Sequence, residues 1–265
     1  MHQTIFAPER TILSPEDCYF YHTMDIPNWG SVDGEWDLRG REDEYLGHVD
    51  FSAKRVLEIG SASGHLCFYM ERQGAEIVAY DLSEHENWDI VPYAQYDWAK
   101  HMRSFKKHIN RINNSWWFAH KAFQSKSKVI YGSVYQIPEG IGNFDIGTFG
   151  SILLHLRDPF LALQQVATHV KEMLIVTDLL PSDTVRLQAC GNRMLTFLPD
   201  AATLKPLETW WNFGPELVSE FLKIRWRDRA LLAVGPDRYA PTWTHRDSGA
   251  WASLSEEERG ALEAI

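Results

Sequence analysis

The sequence lacks the features that mark several large classes of protein. It contains no run of 18 apolar residues, so no membrane span is expected. Only three cysteines occur in 265 residues, widely spaced, so we predict reduced thiols and no metal site. No basic segment followed by an apolar stretch occurs in the first ten residues. We therefore expect a cytoplasmic protein without a signal peptide.

Positive charge is also scarce. Lysine and arginine number 26 against 36 aspartates and glutamates, which gives a formal net charge of −10. Such a field repels polyphosphates, so a nucleic-acid partner is disfavoured, though a local basic patch would leave it open. One basic run could supply that patch: Lys100, Arg103, Lys106, Lys107 and Arg111. At these spacings the run is more typical of a solvated helix face.

What the sequence does have is an alternation of short apolar strands and helices from Lys54 onward. Strands are predicted at 55–59, 76–80, 129–131, 144–149, 172–178 and 229–234. Helices are predicted at 65–73, at 159–170 after an Asp158 cap, and from Pro215. This order predicts an α/β fold: a Rossmann-like, mostly parallel sheet with helices on both faces.

Three regions fall outside this alternation. Residues 1–52 are broken by proline and glycine, and we interpret them as an N-terminal lid. Residues 82–128 are too long for a plain connection, so we predict a helical, aromatic cap insertion there. The main domain is placed at 53–234, and a tail rich in proline, glycine and charge at 235–265. The oligomeric state is not indicated.

The most informative segment is the turn that follows the first strand of the sheet, at 60–64. Gly60 and Gly64 let the backbone approach a ligand, and the helix that begins near Gly64 offers free N–H groups. Asp81 ends the next strand, where a carboxylate can accept the hydroxyls of a ribose. Together these features predict a nucleotide-binding site.

Two nucleotide ligands compete for this site. Dinucleotide-binding turns favour a third glycine within the helix, but no glycine follows Gly64 until Gly74. Glu58 is poorly placed beside a pyrophosphate and well placed for a ligand that carries an ammonium group. S-adenosylmethionine (SAM) carries an ammonium and a sulfonium, so we favour SAM over NAD(P). The predicted SAM contacts here are Glu58, Gly60, Ser61, Gly64, Asp81 and Leu82.

These residues resemble the class I SAM-dependent methyltransferases. Further similarity is to the tRNA wobble-uridine methyltransferase-like family, whose best-known member transfers a carboxymethyl group from carboxy-SAM. It is carried by three stretches: 22–36, 149–159 and 229–233. The resemblance implies further cofactor contacts at Trp36, Ser133, Val134, Gly150 and Ser151.

The resemblance also bears on which cofactor is used. Arg229 matches an arginine that touches the transferred carboxylate, whereas His22 and Leu154 replace a lysine and a tyrosine with the same role. A carboxylate buried without its partners is costly. We therefore expect ordinary SAM as the cofactor and S-adenosylhomocysteine as the product.

Two histidines are the candidate catalytic residues. His155 follows the fourth strand of the sheet, at the edge where such sheets bind ligands, and its near-neutral pKa suits a general base. A cap or a packed loop is the alternative role. His22, on the predicted lid, is the second candidate, with a structural role as its alternative.

The acceptor is the least constrained part of the prediction. Candidate substrate contacts are Trp116, Trp117, Trp210, Trp211 and Arg229, with core packing as the alternative for any single ring. We predict a methyltransferase that acts on a small molecule: a natural product, a saccharide or a metabolite. A tRNA wobble-uridine methyltransferase and a non-catalytic SAM-binding subunit are the alternatives.

Overall fold

The computed structural model describes residues 5–86, 88–94, 96–178, 193–225 and 230–234. Its strands are β1 (Met24–Ile26), β2 (Gly30–Val32), β3 (Arg55–Ile59), β4 (Glu76–Asp81), β5 (Lys128–Tyr131), β6 (Phe144–Gly150), β7 (Val170–Thr177), β8 (Leu195–Phe197), β9 (Trp211–Phe213) and β10 (Ala230–Val234). Its helices are α1 (Glu42–Tyr45), α2 (His65–Arg72), α3 (Trp98–Phe123), α4 (Pro159–Ala167) and α5 (Pro215–Arg225).

Six strands form one sheet, in the order β5-β4-β3-β6-β7-β10, and every neighbouring pair is parallel. The chain winds outward from β3 in one direction and from β6 in the other. The junction of β3 and β6 is therefore the point where such sheets bind ligands, at the carboxyl ends of the strands. All six predicted strands are present, within two residues at each end, and the predicted Rossmann-like fold is confirmed.

Helices cover both faces of the sheet, because successive residues of each strand point to opposite sides. On one face, Val56 of β3 packs in the same cluster as residues of α2 and α3. On the other face, the adjacent Leu57 packs in a cluster with α4 and α5. Helix α4 begins as predicted, since the Asp158 side chain accepts a hydrogen bond from Leu161 N at 2.9 Å. It ends at Ala167, three residues before the predicted boundary.

The insertion between β4 and β5 contains a single 26-residue helix, α3. Its second half packs against the sheet, with Trp116, Trp117 and Phe118 all buried. The long helix is therefore a full layer of the fold, rather than only a cap over a ligand. None of the helices in the described ranges is long and apolar enough to cross a membrane.

The N-terminal segment, 5–52, is bound to the core at several points. Tyr21 N donates to Ser63 Oγ at 2.6 Å, Thr177 Oγ1 donates to Tyr45 O at 2.8 Å, and Ala7 N donates to Val129 O at 2.8 Å. Large apolar side chains of the segment are buried as well, including Phe20, Met24 and Leu46. Whether the segment opens as a lid stays a prediction. The predicted tail, 235–265, lies outside the described residues.

Replacing Ser63 tests this attachment. Ser63 Oγ accepts from Tyr21 N and also from Ser115 Oγ, at 3.0 Å, in a site shielded from water. Ser63→Ala should lower the free energy of unfolding by about 1–3 kcal/mol, because a buried amide loses its acceptor. Urea unfolding followed by tryptophan fluorescence measures the change. The exposed Ser52→Ala is the control, and an equal effect of the two substitutions would contradict this attachment.

Candidate active site

A cavity of about 400 Å³ lies at the carboxyl ends of β3, β4 and β6. The sheet and the turn after β3 supply one wall. The N-terminal segment, α3 and the loop before β9 supply the others, through residues such as Trp36, Ile109 and Glu208. The cavity therefore occupies the position that the strand order predicts for a ligand.

The turn after β3 depends on its two glycines. Gly60 and Gly64 have φ values of +73° and +83°, in the left-handed region that side chains avoid. A Cβ at Gly60 would lie 2.1 Å from the Ile152 side chain, and one at Gly64 would lie 2.6 Å from Phe68. Gly60 lines the cavity, whereas Gly64 and Ser61 shape the turn from behind.

Asp81 organises this turn and also faces the cavity. Its Oδ2 accepts from Ala62 N at 2.7 Å and from Ser61 Oγ at 3.3 Å, while Oδ1 accepts from Leu82 N at 2.7 Å. Burial raises the pKa of Asp81, and these hydrogen bonds oppose the increase. A carboxylate has about four acceptor positions, so one on Oδ1 remains for a ribose hydroxyl.

Glu58 is the most informative polar residue of the cavity. Its side chain is 4% exposed and lines the cavity, and its Oε2 has no hydrogen-bond partner within the described part of the chain. Burial raises the pKa of Glu58 to about 8; the hydrogen bond with Cys67 opposes this increase, and the charge of Asp81 adds to it. A buried carboxyl group with one unpartnered oxygen fits a cationic ligand group, as the ammonium of SAM would provide.

The other predicted cofactor residues lie around the same space. Leu82, Ser133, Val134, Trp36, Gly150 and Ser151 all line the cavity. Asn113 lines it too, and its Nδ2 donates to Leu82 O at 3.0 Å, which fixes the wall next to Asp81. Sequence reasoning missed Asn113, because a polar residue within a long helix carries no local signal.

His155 lies on the cavity wall in a single helical turn, Leu153–His155. Its Nδ1 is 2.6 Å from the carbonyl oxygen of Glu208, which can only accept a hydrogen bond. Nδ1 therefore carries the proton, and Nε2 keeps a lone pair. Burial lowers the pKa of His155, although the bond to Glu208 opposes this. The ring is consequently neutral near pH 7 and able to accept a proton.

His22 also lines the cavity but is electrostatically different. Its Nδ1 is buried without a hydrogen-bond partner among the residues described. Burial, and then the charge of His65, lowers the pKa of His22 to about 3. Such an imidazole is a weak base at neutral pH, so the geometry favours His155 over His22 for proton transfer.

The four candidate substrate tryptophans do not line the cavity. Trp116 and Trp117 are 1% and 4% exposed, because the half of α3 that carries them packs on the sheet behind the glycine turn. Trp210 and Trp211 brace the cavity wall instead, through indole hydrogen bonds to the carbonyls of Asp89 and Arg157. The structure thus places these four rings in supporting positions and corrects the expectation that they contact the acceptor. Arg229 lies outside the described residues.

Tyr21, Glu35, His108 and Glu208, which sequence reasoning did not single out, line the cavity where these tryptophans do not. Trp88 and Leu154 are further lining residues. The basic run of α3 contributes no residue to the cavity, and Arg111 donates to the backbone carbonyls of Glu16 and Cys18. That run is consistent with the solvated helix face expected from its spacing.

The sequence matches the family described as a methyltransferase domain over residues 39–225, more than two thirds of the chain. The chain belongs to this family. Membership makes the protein a SAM-dependent methyltransferase and agrees with the glycine turn, Glu58 and Asp81. Among proteins of curated function, none matches the sequence.

Solved structures share parts of the methyltransferase fold. Magnesium protoporphyrin IX methyltransferase from Synechocystis PCC 6803, with bound S-adenosylhomocysteine, has a TM-score of 0.44 and 11% identity, over 69% of this chain and 68% of the other. An O-methyltransferase family protein from Burkholderia thailandensis has a TM-score of 0.35 and 14% identity, over 56% and 40%. An amino pentose methyltransferase from Micromonospora echinaspora has a TM-score of 0.33 and 12% identity, over 54% and 49%. The methyltransferase thus spans about two thirds of the first protein and half or less of the other two.

The raised pKa of Glu58 predicts that SAM binding releases a proton. The free methyltransferase holds Glu58 protonated below about pH 8, whereas a bound ammonium group requires the carboxylate. SAM affinity should therefore rise from pH 6 to pH 8. Calorimetry at pH 7 in buffers of different ionisation enthalpy should show release of up to one proton.

Glu58→Gln is the control for this measurement, because it keeps the side-chain shape and removes the titrating group. The variant should bind SAM more weakly and release almost no proton. Without ligand, the folded protein binds this proton more tightly than the unfolded chain does, so stability should fall as pH rises from 4.5 to about 8. Wild-type binding without proton release would argue against an ammonium contact at Glu58.

Proposed function

We propose that this methyltransferase transfers a methyl group from SAM to a small-molecule acceptor held in the described cavity. The observation that carries the proposal is the buried Oε2 of Glu58, which has no partner among the described residues, beside the Gly60 turn and in the same cavity as Asp81 and His155. A cavity of about 400 Å³ falls in the size range of small-molecule sites.

The residues divide between binding and proton transfer. SAM supplies the electrophilic methyl group on its sulfonium. Glu58 would hold the ammonium group and Asp81 a ribose hydroxyl. The remaining predicted contacts would enclose the rest of the cofactor: Trp36, Leu82, Ser133, Val134, Gly150 and Ser151. Ser61 and Gly64 would contribute indirectly, because they shape the glycine turn and so set where its backbone meets the cofactor.

His155 would act as the general base. With Nδ1–H held by the Glu208 carbonyl, Nε2 is the nitrogen that can take a proton from a hydroxyl or amine acceptor. The same hydrogen bond fixes the plane of the ring, so that no rotamer search precedes proton transfer. This role also favours an enzyme over the alternative of a non-catalytic SAM-binding subunit.

Two observations favour a small acceptor and ordinary SAM over the tRNA wobble-uridine reaction. The cavity is lined by no lysine or arginine among the described residues, so it offers no cation to a phosphate. His22 and Leu154, which replace the family's carboxylate-binding lysine and tyrosine, both line it. The closer family resemblance and the cytoplasmic location stay predictions.

A turnover screen tests the proposed function. The purified protein is incubated with SAM and either a panel of small hydroxyl and amine compounds or bulk tRNA, and released S-adenosylhomocysteine is measured. We expect release with one or more small compounds and none above background with tRNA. Release with tRNA alone would contradict the small-molecule assignment.

Carboxy-SAM provides a second arm of this experiment. In competition binding, ordinary SAM should be preferred, because a carboxylate gains no cationic partner from His22 or Leu154. A tenfold preference for carboxy-SAM, about 1.4 kcal/mol, would instead support the tRNA-modifying reaction.

Replacing His155 tests the base. His155→Ala should lower kcat by about 10²–10⁴-fold and leave SAM affinity nearly unchanged, because the ring serves proton transfer and not cofactor binding. His48→Ala is the matched control, since that side chain is 64% exposed and outside the cavity. Near-normal turnover of His155→Ala from pH 6 to pH 8 would exclude His155 as the base.

A further inference from the structure

The cavity lining contains more carboxyl groups than the proposed cofactor contacts account for. Five carboxyl residues line it: Glu35, Glu58, Asp81, Asp89 and Glu208. Within the described ranges, no lysine or arginine lines it to balance them. Buried or half-buried carboxylates without cationic partners are unfavourable unless a ligand completes them.

Three of the five carboxyl groups already have a role. Glu58 and Asp81 belong to the cofactor site proposed above. Asp89 Oδ2 accepts from Arg157 N at 2.8 Å and from the Tyr135 hydroxyl, so it fixes the loop after β6. The two carboxyl groups that remain, Glu35 and Glu208, come from the N-terminal segment and the loop before β9.

Neither of these two carboxyl groups is fully paired within the described part of the protein, and the Glu208 side chain is 39% exposed. The Tyr19 hydroxyl donates to Glu35 Oε1, and no described residue donates to Oε2. The Oε1 atom of Glu208 is 3.9 Å from Nε2 of His101, beyond hydrogen-bond distance. In the part of the chain that the structure describes, no lysine or arginine forms an ion pair with either residue.

The charge of Glu35 affects the pKa of Glu208, and the charges of both residues affect the pKa of Tyr21. The pKa of Glu208 is raised by burial first and then by the charge of Glu35. Burial raises the pKa of Tyr21 to about 12, and the charges of Glu35 and Glu208 both add to that effect. All three side chains line one cavity, so the two carboxyl groups are available to the same ligand.

A second feature, the presence of buried polar atoms that pair with no described residue, indicates that this cavity binds a ligand. Glu58 Oε2 and His22 Nδ1 are buried polar atoms without partners among the described residues, and both side chains line the cavity. Tyr21 and Trp88 also line it, and aromatic rings attract cations over their faces. A metal ion is not indicated, since no cluster of three or more potential ligands occurs within the described part of the chain.

We infer that Glu35 and Glu208 bind a protonated amino group of the methyl acceptor, so that the acceptor is a cationic, amine-bearing small molecule. The inference rests on the proposed function, because it takes the space not assigned to SAM as the acceptor site. The protonated amino group serves as an anchor, since it has no lone pair to receive a methyl group. Its three hydrogens suit two carboxylates and a third acceptor.

The position of Glu208 connects this anchor to the base. Its backbone carbonyl holds Nδ1 of His155, while its carboxyl group lines the same cavity. An amino group bound at Glu208 therefore lies in the same cavity as His155, whose Nε2 keeps its lone pair. Glu35 and Glu208 are thus specificity-determining residues rather than bases.

Matched ligands test the inference directly. The protein, saturated with S-adenosylhomocysteine, is titrated calorimetrically with three triplets: tyramine, tyrosol and 4-hydroxyphenylacetate; cyclohexylamine, cyclohexanol and cyclohexanecarboxylate; glucosamine, glucose and glucuronate. In at least one triplet the amine should bind about tenfold or more tightly than the alcohol, with the carboxylate weakest. Failure of every amine to bind, or equal binding of an alcohol or carboxylate, would overturn the inference.

Charge-neutral variants show which residues cause the preference. Glu35→Gln with Glu208→Gln should reduce the preference for the amine to about twofold or less, because both anionic partners are gone. Glu216→Gln removes one charge from an exposed position outside the cavity and should keep the full preference. A preference that survives in the double variant would refute the assignment to Glu35 and Glu208.

The same titrations separate this inference from the proposed function. The double variant should bind S-adenosylhomocysteine within about twofold of the wild-type affinity, and its thermal unfolding confirms that it is folded. A parallel loss of cofactor affinity would mean that Glu35 and Glu208 hold the cofactor, which overturns the inference. Failure of the wild-type protein to bind the cofactor would refute the proposed function, and methylation of neutral acceptors alone would refute only the amine anchor.

Discussion

The carboxylate of Asp81 ties together the two strand ends on which the site depends. It accepts hydrogen bonds from Ala62 N and Ser61 Oγ in the turn after β3, and from Leu82 N at the end of its own strand, β4. These bonds hold the Gly60 turn open at the point where the strand order reverses. Without them, the turn would lose the partners of its buried donors, and Glu58, two residues before Gly60, would lose its fixed position.

The ligand-free cavity remains stable because its ionisable groups adjust their protonation. Burial holds Glu58 protonated at neutral pH and keeps His22 and His155 uncharged, so these three groups add no net charge to the ligand-free site. When a cationic cofactor binds, Glu58 loses its proton, and the positive charge of the cofactor takes the place of that proton. The ligand-free cavity therefore favours binding of a cation. The absence of lysine and arginine from its described lining has the same effect, because no positive side chain there repels the ligand.

The fold and the cofactor half of the site were predictable because their signals are local in sequence. Short, mostly apolar strands, the glycines at 60 and 64, and Asp81 at a strand end each follow from a short pattern. The acceptor half carries no such pattern. Glu35, His108 and Glu208 are brought together only by tertiary packing, from segments far apart in the chain.

The tryptophans show the same limit in a different way, because the sequence suggested them for the site and the structure places them outside the cavity. Sequence composition marked Trp116 and Trp117 as candidate pocket walls, but composition does not say which stretch of a long helix reaches the cavity. Ile109, Asn113 and Trp116 share one face of α3, since residues three and four apart are neighbours on a helix. The structure places the stretch with His108, Ile109 and Asn113 at the cavity and the stretch with Trp116 and Trp117 in the core. A large apolar ring thus contributes to the site by supporting the glycine turn, where the Trp116 ring lies 2.7 Å from the position of a Cβ at Gly64.

The division between the two halves of the cavity explains why family membership settles the reaction but not the acceptor. Of the proposed SAM contacts, Glu58, Gly60 and Asp81 come from β3, β4 and the turn between β3 and α2, which belong to the Rossmann-like core. Glu35 and Glu208 instead come from the N-terminal segment and from the loop before β9, both added to that core. Glu35 also lies before residue 39, where the match to the methyltransferase domain begins. Acceptor specificity can therefore change through these added segments while the Asp81-bound turn stays intact.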